Sequence, residues 1–314
     1  MIRTSILSIL AVTPVLANED IADQYPQSVL YEAPIEVIKD VWSAIGATAP
    51  PTYENAGHNN NLSFIVTGDG VIVVNAGANY ALSAAMHDEI RDVTDQPVKL
   101  VINENGQGHA MLGNNYWVEQ GIDVLAHVDA AAAFEADQAQ IFAGMERYAR
   151  ENSEGTVPQG PTLTFEDEYI IEMGDMRIQV LYLGPAHSPG DVSVWLPEQK
   201  LVIAGDVAFH ERMPPIFADT CTSCWLETWE TRFEPLGALY VIPGHGHPTN
   251  MDVVRAGTHG YVSYLREKIG EHIDEGGDLA GAYYVDQSPY EGLDTFEELA
   301  TKNAGVVYSE MEWE

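Results

Sequence analysis

Lys200-Leu201-Val202-Ile203-Ala204-Gly205-Asp206 sets a carboxylate directly behind a run of apolar residues, and the pattern recurs along the chain. Residues 240–244 (YVIPG) lead into His245, and residues 178–186 (IQVLYLGPA) lead into His187. Residues 98–103 (VKLVIN) lead into Glu104 and then His109. Short runs rich in Val, Ile and Leu and bounded by Gly or Pro read as buried strands, whose C-terminal loops carry chemistry. Imidazoles and carboxylates delivered by several strand ends are how a chain assembles a metal site.

Outward from these runs, LSFIVT, GDG and VIVVN over 62–75 predict a hairpin, because Asp69-Gly70 sits between two β-branched stretches. A helix is expected over Tyr80–Val93, then the strand VKLVIN, a short helix through Met111–Gln120 and the strand IDVLAH. Good helix formers extend from Ala130 to Glu151. EYIIEM, MRIQVLYL, DVSVWLP and KLVIAGD then read as successive strands, followed by helix near Trp225–Phe233, the strand LYVIP and a helix over Val253–Ile273. The order fits an α/β fold, a four-layer αβ/βα sandwich of two mixed β-sheets with outer helices. A doubly wound sheet would need a Gly-rich phosphate loop after its first strand, and Asn75-Ala76-Gly77-Ala78-Asn79 is too slight for one. The folded domain is expected over 62–273, preceded by an irregular leader over 18–61 and followed by an acidic tail over 274–314 that wraps the surface.

Asp and Glu total 48 against 14 Lys and Arg, a formal charge of −34 that repels nucleic acid and anionic lipid and leaves a small molecule as the expected partner. Met1–Ala17 reads as a secretory signal peptide, and no later stretch has the length and apolarity of a membrane span. A mature chain that does not insert in a membrane and is exported to a bacterial periplasm is expected. Cys221 and Cys224 fit a local disulfide or two idle thiols; a redox pair and half of a zinc site are the other readings.

In order and spacing, these segments resemble the metallo-beta-lactamase fold superfamily over residues 62–273. Its members carry an Asp at an early strand end, His-x-His-x-Asp-His, a His before a Gly-Asp turn, a Gly-Asp on a strand and a Gly-His turn. Here stand VIVVNAG, ENGQGHAMLGN, GPAHSPGD, LVIAGD and VIPGHGHPT. The resemblance implies His187 as ligand of a first ion, His109 and His245 as ligands of a second, and Asp206 as the bridging carboxylate. Glu104, Gly106 and Gly108 stand where His, His and Asp are expected, and Asn75 stands for the early Asp. The two glycines offer only room and backbone.

One divalent ion on His109, Asp206 and His245 is therefore expected, with a second only if Glu104 is also a ligand. Zinc is the first choice, with iron or manganese as alternatives. With no Asp at 108, Glu104 becomes the first candidate for a general base near Asp206, ahead of His247 and Gln107. The function implied is an exported metal-dependent hydrolase acting on an ester, thioester, lactone or similar electrophile; the alternative is a non-catalytic metal- or ligand-binding protein on a degenerate scaffold. Beta-lactam cleavage is not expected without the first-motif ligands. Phe209, Met213, Phe217 and Trp225 are candidates to wall an apolar pocket, and Arg212 is a cation that would suit an anionic substrate.

Overall fold

The computed structural model describes Tyr25 and residues 27–314, so the Met1–Ala17 signal reading lies outside the described residues. The first half runs β1 (Ile35–Ile38), β2 (Val41–Ala44), β3 (Leu62–Val66), β4 (Val71–Val74), α1 (Tyr80–Val93), β5 (Val98–Ile102), α2 (Gly108–Met111), α3 (Asn114–Glu119), β6 (Asp123–His127), α4 (Val128–Ala149) and β7 (Leu163–Phe165). Its strands form one sheet in chain order, antiparallel from β1 to β4 and parallel from β4 to β7.

The second half runs β8 (Glu168–Met173), β9 (Met176–Leu181), β10 (Ser193–Leu196), β11 (Leu201–Phe209), α5 (Thr222–Thr228), β12 (Tyr240–His245), α6 (Met251–Val254), α7 (Gly260–Asp274), α8 (Leu279–Ala282) and α9 (Phe296–Met311). Its sheet order is β12-β11-β10-β9-β8, with only β11 and β12 paired parallel.

Two mixed sheets with helices outside both are the sandwich that the strand order predicts, and its layers explain the residue pattern. On β4, Ile72 and Val74 pack toward the second sheet against Ile178, Val194 and Ile203, whereas Val71 and Val73 pack outward with Leu82, Met86 and Ile90 of α1. A strand covered on both faces is apolar throughout, so its run shows no alternation. Helix α1 occupies the predicted span because its apolar residues recur every fourth position and Asn79 caps it, accepting from the Leu82 N–H.

Two boundaries differ from the sequence reading. The leader is not irregular throughout: β1 and β2 extend the first sheet, and Leu30, Val41, Ala44 and Ile45 are buried in the core. These strands are four residues each, too short for an alternation to register. Nor does the acidic segment after 273 merely wrap the surface. Helix α9 buries Ala300, Ala304, Val307 and Tyr308 in the cluster that holds Trp225, Tyr261 and Leu265. Burying a side chain of Val307 size contributes about 1.5–3 kcal/mol, so the outer layer of the second sheet depends on this helix.

Candidate metal centre

The described residues bring His109, Asp206 and His245 together, one ligand atom from each lying within 4.8 Å of the others. Helix α2 carries His109, β11 carries Asp206 and β12 ends in His245. The β11–β12 parallel pair sets the last two side by side. His245 Nε2 is 3.2 Å from Asp206 Oδ1, and His109 Nε2 is 3.5 Å from Asp206 Oδ2. Gly205 and Gly244 make this approach possible: a Cβ on Gly205, whose φ is +59°, would lie 2.2 Å from Glu104 Oε2, and one on Gly244 would lie 2.3 Å from Asp206 Oδ1.

Hydrogen bonding shows that a cation fits. His245 Nδ1 meets the Asn59 carbonyl, which can only accept, so the proton of a neutral His245 sits on Nδ1 and Nε2 presents a lone pair to a carboxylate oxygen. That oxygen, Asp206 Oδ1, is buried without a hydrogen bond, as are Glu104 Oε2 and His187 Nε2. His245 Nε2 and Asp206 Oδ1, two acceptors that face each other in a buried site, call for a positive ion between them. His109, Asp206 and His245 would hold it, and the Phe209 ring stacked on His245 at 5.2 Å fixes the imidazole plane.

The charges follow from burial and neighbours. Burial would raise the Asp206 pKa, but His109 and His245 facing it hold it below the ordinary carboxylate value. Burial and the Asp206 charge push Glu104 up to about 6. Burial and then Arg212 take His245 down to about 4. His109 is raised against its own burial by Asp206 and Glu104, whereas burial leaves His187 lowered.

Glu104 and His187 stand at the edge of this trio. Glu104 Oε1 is 3.1 Å from His109 Nε2, and His187 Nδ1 is 3.6 Å from Asp206 Oδ2. Gly106 and Gly108 correct the expectation of room. A Cβ at 106 would meet the Ala130 carbonyl oxygen at 2.6 Å, and one at 108 would meet Ile141 Cγ2 at 2.8 Å, so helix α4 fills the space where side chains would stand. Of the weaker base candidates, Gln107 reaches His187 Nδ1 at 3.4 Å. His247 is turned to Glu211 and Glu32.

A pocket of about 730 Å³ opens over the trio, walled by Pro50, Pro51, Ile141, Tyr148, Phe217 and Leu299. Phe217 is the one residue of the predicted apolar wall that lines it; Phe209, Met213 and Trp225 are core. Cys221 and Cys224 form a disulfide, which leaves no thiolate for a zinc site.

Sequence reasoning read Asn75 only as a replacement for an Asp and gave Asn61 and Asn105 no role. Asn61 donates to the Pro243 and Gly246 carbonyls, Asn75 Oδ1 accepts from the Glu104 N–H, and Asn105 donates to Asp206 Oδ2 at 3.1 Å. The run His58-Asn59-Asn60-Asn61 was the available signal: consecutive amides that are buried are there to satisfy backbone groups of other loops.

Two packed mixed sheets, outer helices and a His/Asp cluster at the strand ends define an αβ/βα protein with a metal-type centre. The sequence profile of the metallo-beta-lactamase superfamily matches residues 109–256, starting at the first member of the trio. Residues 109–256 thus carry the sequence pattern of that superfamily. A metallo-beta-lactamase from Pontibacter korlensis superposes with a TM-score of 0.58 at 20% identity, over 73% of this chain and 98% of that one. Metallo-beta-lactamase type 2 of Bacteroides fragilis is 28% identical over 89 residues, 27% of this chain and 36% of that protein. The 2,4-dinitroanisole O-demethylase subunit alpha of Nocardioides sp. (strain JS1661) is 28% identical over 127 residues, 39% of this chain and 38% of that protein. The chain thus matches little more than a third of the length of these curated relatives.

Proposed function

We propose that this chain is a metal-dependent hydrolase working outside the cytoplasm on a small ester, thioester, lactone or similar electrophile. The observation that carries the reading is the trio of His109, Asp206 and His245 at the floor of the pocket, with buried acceptor atoms facing one another. A divalent ion held there, zinc first, would supply Lewis acidity toward a carbonyl oxygen and toward water.

The chain's own residues supply the rest. Asn59 and Phe209 set the His245 tautomer and plane, and Asn105 holds the second oxygen of Asp206. Glu104 is the carboxylate suited to hold a proton near neutral pH, because burial and Asp206 raise it to about 6 and its Oε2 has no other partner. The Cys221–Cys224 disulfide supports an oxidising compartment, in keeping with the reading of Met1–Ala17 as an export signal.

The test is metal content of protein purified without chelator, paired with hydrolysis of neutral aryl esters. One ion per chain is expected, with both ion and activity lost in Asp206→Ala. Metal-free protein that neither takes up zinc nor changes its melting temperature in chelator would establish a non-catalytic binding protein instead.

A further inference from the structure

We propose that the Cys221–Cys224 disulfide is a thiol-exchange site that takes two electrons from a dithiol donor, and that its state governs the wall of residues 217–221 beside the metal centre. The proposal goes beyond the hydrolase reading and does not depend on it.

Both cysteines are half-buried, and Cys221 lines a surface cavity of about 730 Å³ together with Asp219, Thr220, Tyr283, Lys302 and Glu310. An incoming thiolate therefore has a path to sulfur, and a disulfide within reach of solvent is the kind that exchange opens. The bond spans only two intervening residues. So short a loop restricts the unfolded chain little, and the link does little for global stability. Lys302 makes no ion pair among the described residues, whereas Glu310 on the same cavity is engaged by Thr222 and Arg266. The unspent positive charge draws a thiolate toward Cys221.

The segment before the disulfide joins it to the centre. Asp219 lines this cavity and also a smaller one of about 290 Å³, shared with Gln107, Ile141, Ser188 and Phe217. Residues 217–221 thus stand as the partition between the two. Thr220 fastens it: its Oγ1 donates to the His187 carbonyl at 2.7 Å and accepts from the Phe217 N–H at 3.0 Å. The Phe217 ring meets the His187 ring at 5.2 Å, and Trp225, next after Cys224, meets it at 5.7 Å. Both ends of the bridged segment therefore bear on one histidine.

The exchange balances in two steps. The donor thiolate attacks Cys221 Sγ and forms a mixed disulfide; the Cys221–Cys224 bond breaks, and its electron pair leaves on Cys224, which takes a proton from water. The donor's second thiol loses its proton and attacks its own sulfur in the mixed disulfide, which releases Cys221 as thiolate. The Cys224 N–H, already bonded to Cys221 Sγ at 3.3 Å, stabilises that thiolate. The donor ends as a disulfide and the protein holds two thiols; oxidised glutathione reverses the sequence. With the bridge open the partition loosens, while His109, Asp206 and His245 keep their places on α2, β11 and β12.

The experiment treats the folded full chain with dithiothreitol or with reduced thioredoxin, counts free thiols under native conditions and follows amide exchange over 217–225. Both cysteines should titrate with the cooperative melting transition retained, and exchange at the Thr220 and Trp225 amides, bonded to the Phe217 and Cys221 carbonyls, should rise roughly tenfold or more. The double variant Cys221→Ser with Cys224→Ser should match the reduced wild type, which carries the same test if the variant does not fold. Lys302→Gln should slow reduction by anionic glutathione more than reduction by neutral dithiothreitol. Faster reduction by thioredoxin than by equimolar dithiothreitol supports the site with a protein donor, and the reverse supports it with a small one. Thiols that appear only after denaturation, or full reduction that leaves exchange over 217–225 unmoved, overturn the proposal, whatever the ester assays show.

Discussion

His245 and His187 flank the same carboxylate, at 3.2 Å and 3.6 Å from Asp206, yet they stand in two different kinds of surroundings. On the His245 side the cluster is complete: His109 closes it, Asn59 fixes the tautomer and the pocket opens above. On the His187 side the space that two further side chains would need is occupied by helix α4, and His187 is enclosed by Phe209, Phe217 and Trp225. The difference teaches that this half of the centre is rebuilt as packing. Its glycines are required by the neighbouring helix, so a ligand cannot be restored there by one substitution.

The strongest way to break that contrast is to remove each histidine in turn. His245→Ala should weaken zinc binding by more than about a hundredfold, beyond the loss seen for residues that merely support a ligand, and His187→Ala by less than about tenfold. Equilibrium titration against a competing chelator measures both, and equal losses would show two comparable halves.

A second test probes the packing. Gly106→Ala should cost about 1–3 kcal/mol in denaturant unfolding, because its Cβ meets a backbone carbonyl at 2.6 Å that can move only with α4. Gly108→Ala should cost less, since the nearest atom is the end of the Ile141 side chain. The reverse order would mean that α4 is not what closes this side.

The smallest expected effect sets the two sides apart by pH in metal-free protein. Glu104 is raised from 4.5 to about 6, so the folded state binds more protons than the unfolded state between those values, and stability is lost as pH rises through them. Glu104→Gln should then stabilise by on the order of 1 kcal/mol at pH 7 and by nothing near pH 4. His245 is lowered from 6.5 to about 4, so its contribution runs the other way and is lost as pH falls through that window. Unfolding curves of wild type and Glu104→Gln across pH 4–7 check the signs.

Where the sequence was legible, one physical signal dominated. The helix over Tyr80–Val93 was readable from a four-residue apolar repeat and an asparagine cap, and β11 from an unbroken apolar run. Helix α9 was not, because Glu297, Glu298 and Glu310 give the segment an acidic composition that hides the stripe of Ala300, Ala304 and Val307. The trio was legible because Asp206 and His245 directly follow apolar runs and His109 follows the run of β5 within a few residues. The tie from Thr220 to His187 was not, since a threonine in a loop carries no signal until the partner of its hydroxyl is known.

By itself the sequence determined the order of strands and helices, the two-sheet sandwich, and which histidines and which aspartate follow apolar runs. Those are local properties, set by side-chain period and by the residues that end each run. Only the tertiary structure decided that Gly106 and Gly108 are pressed by α4, that Asn59 and Asn61 hold His245 and β12, and that Asp294 near the C-terminus pairs with Arg212. Each of these is a contact between segments distant in the chain, and whether a buried polar group is satisfied depends on what the fold places opposite it.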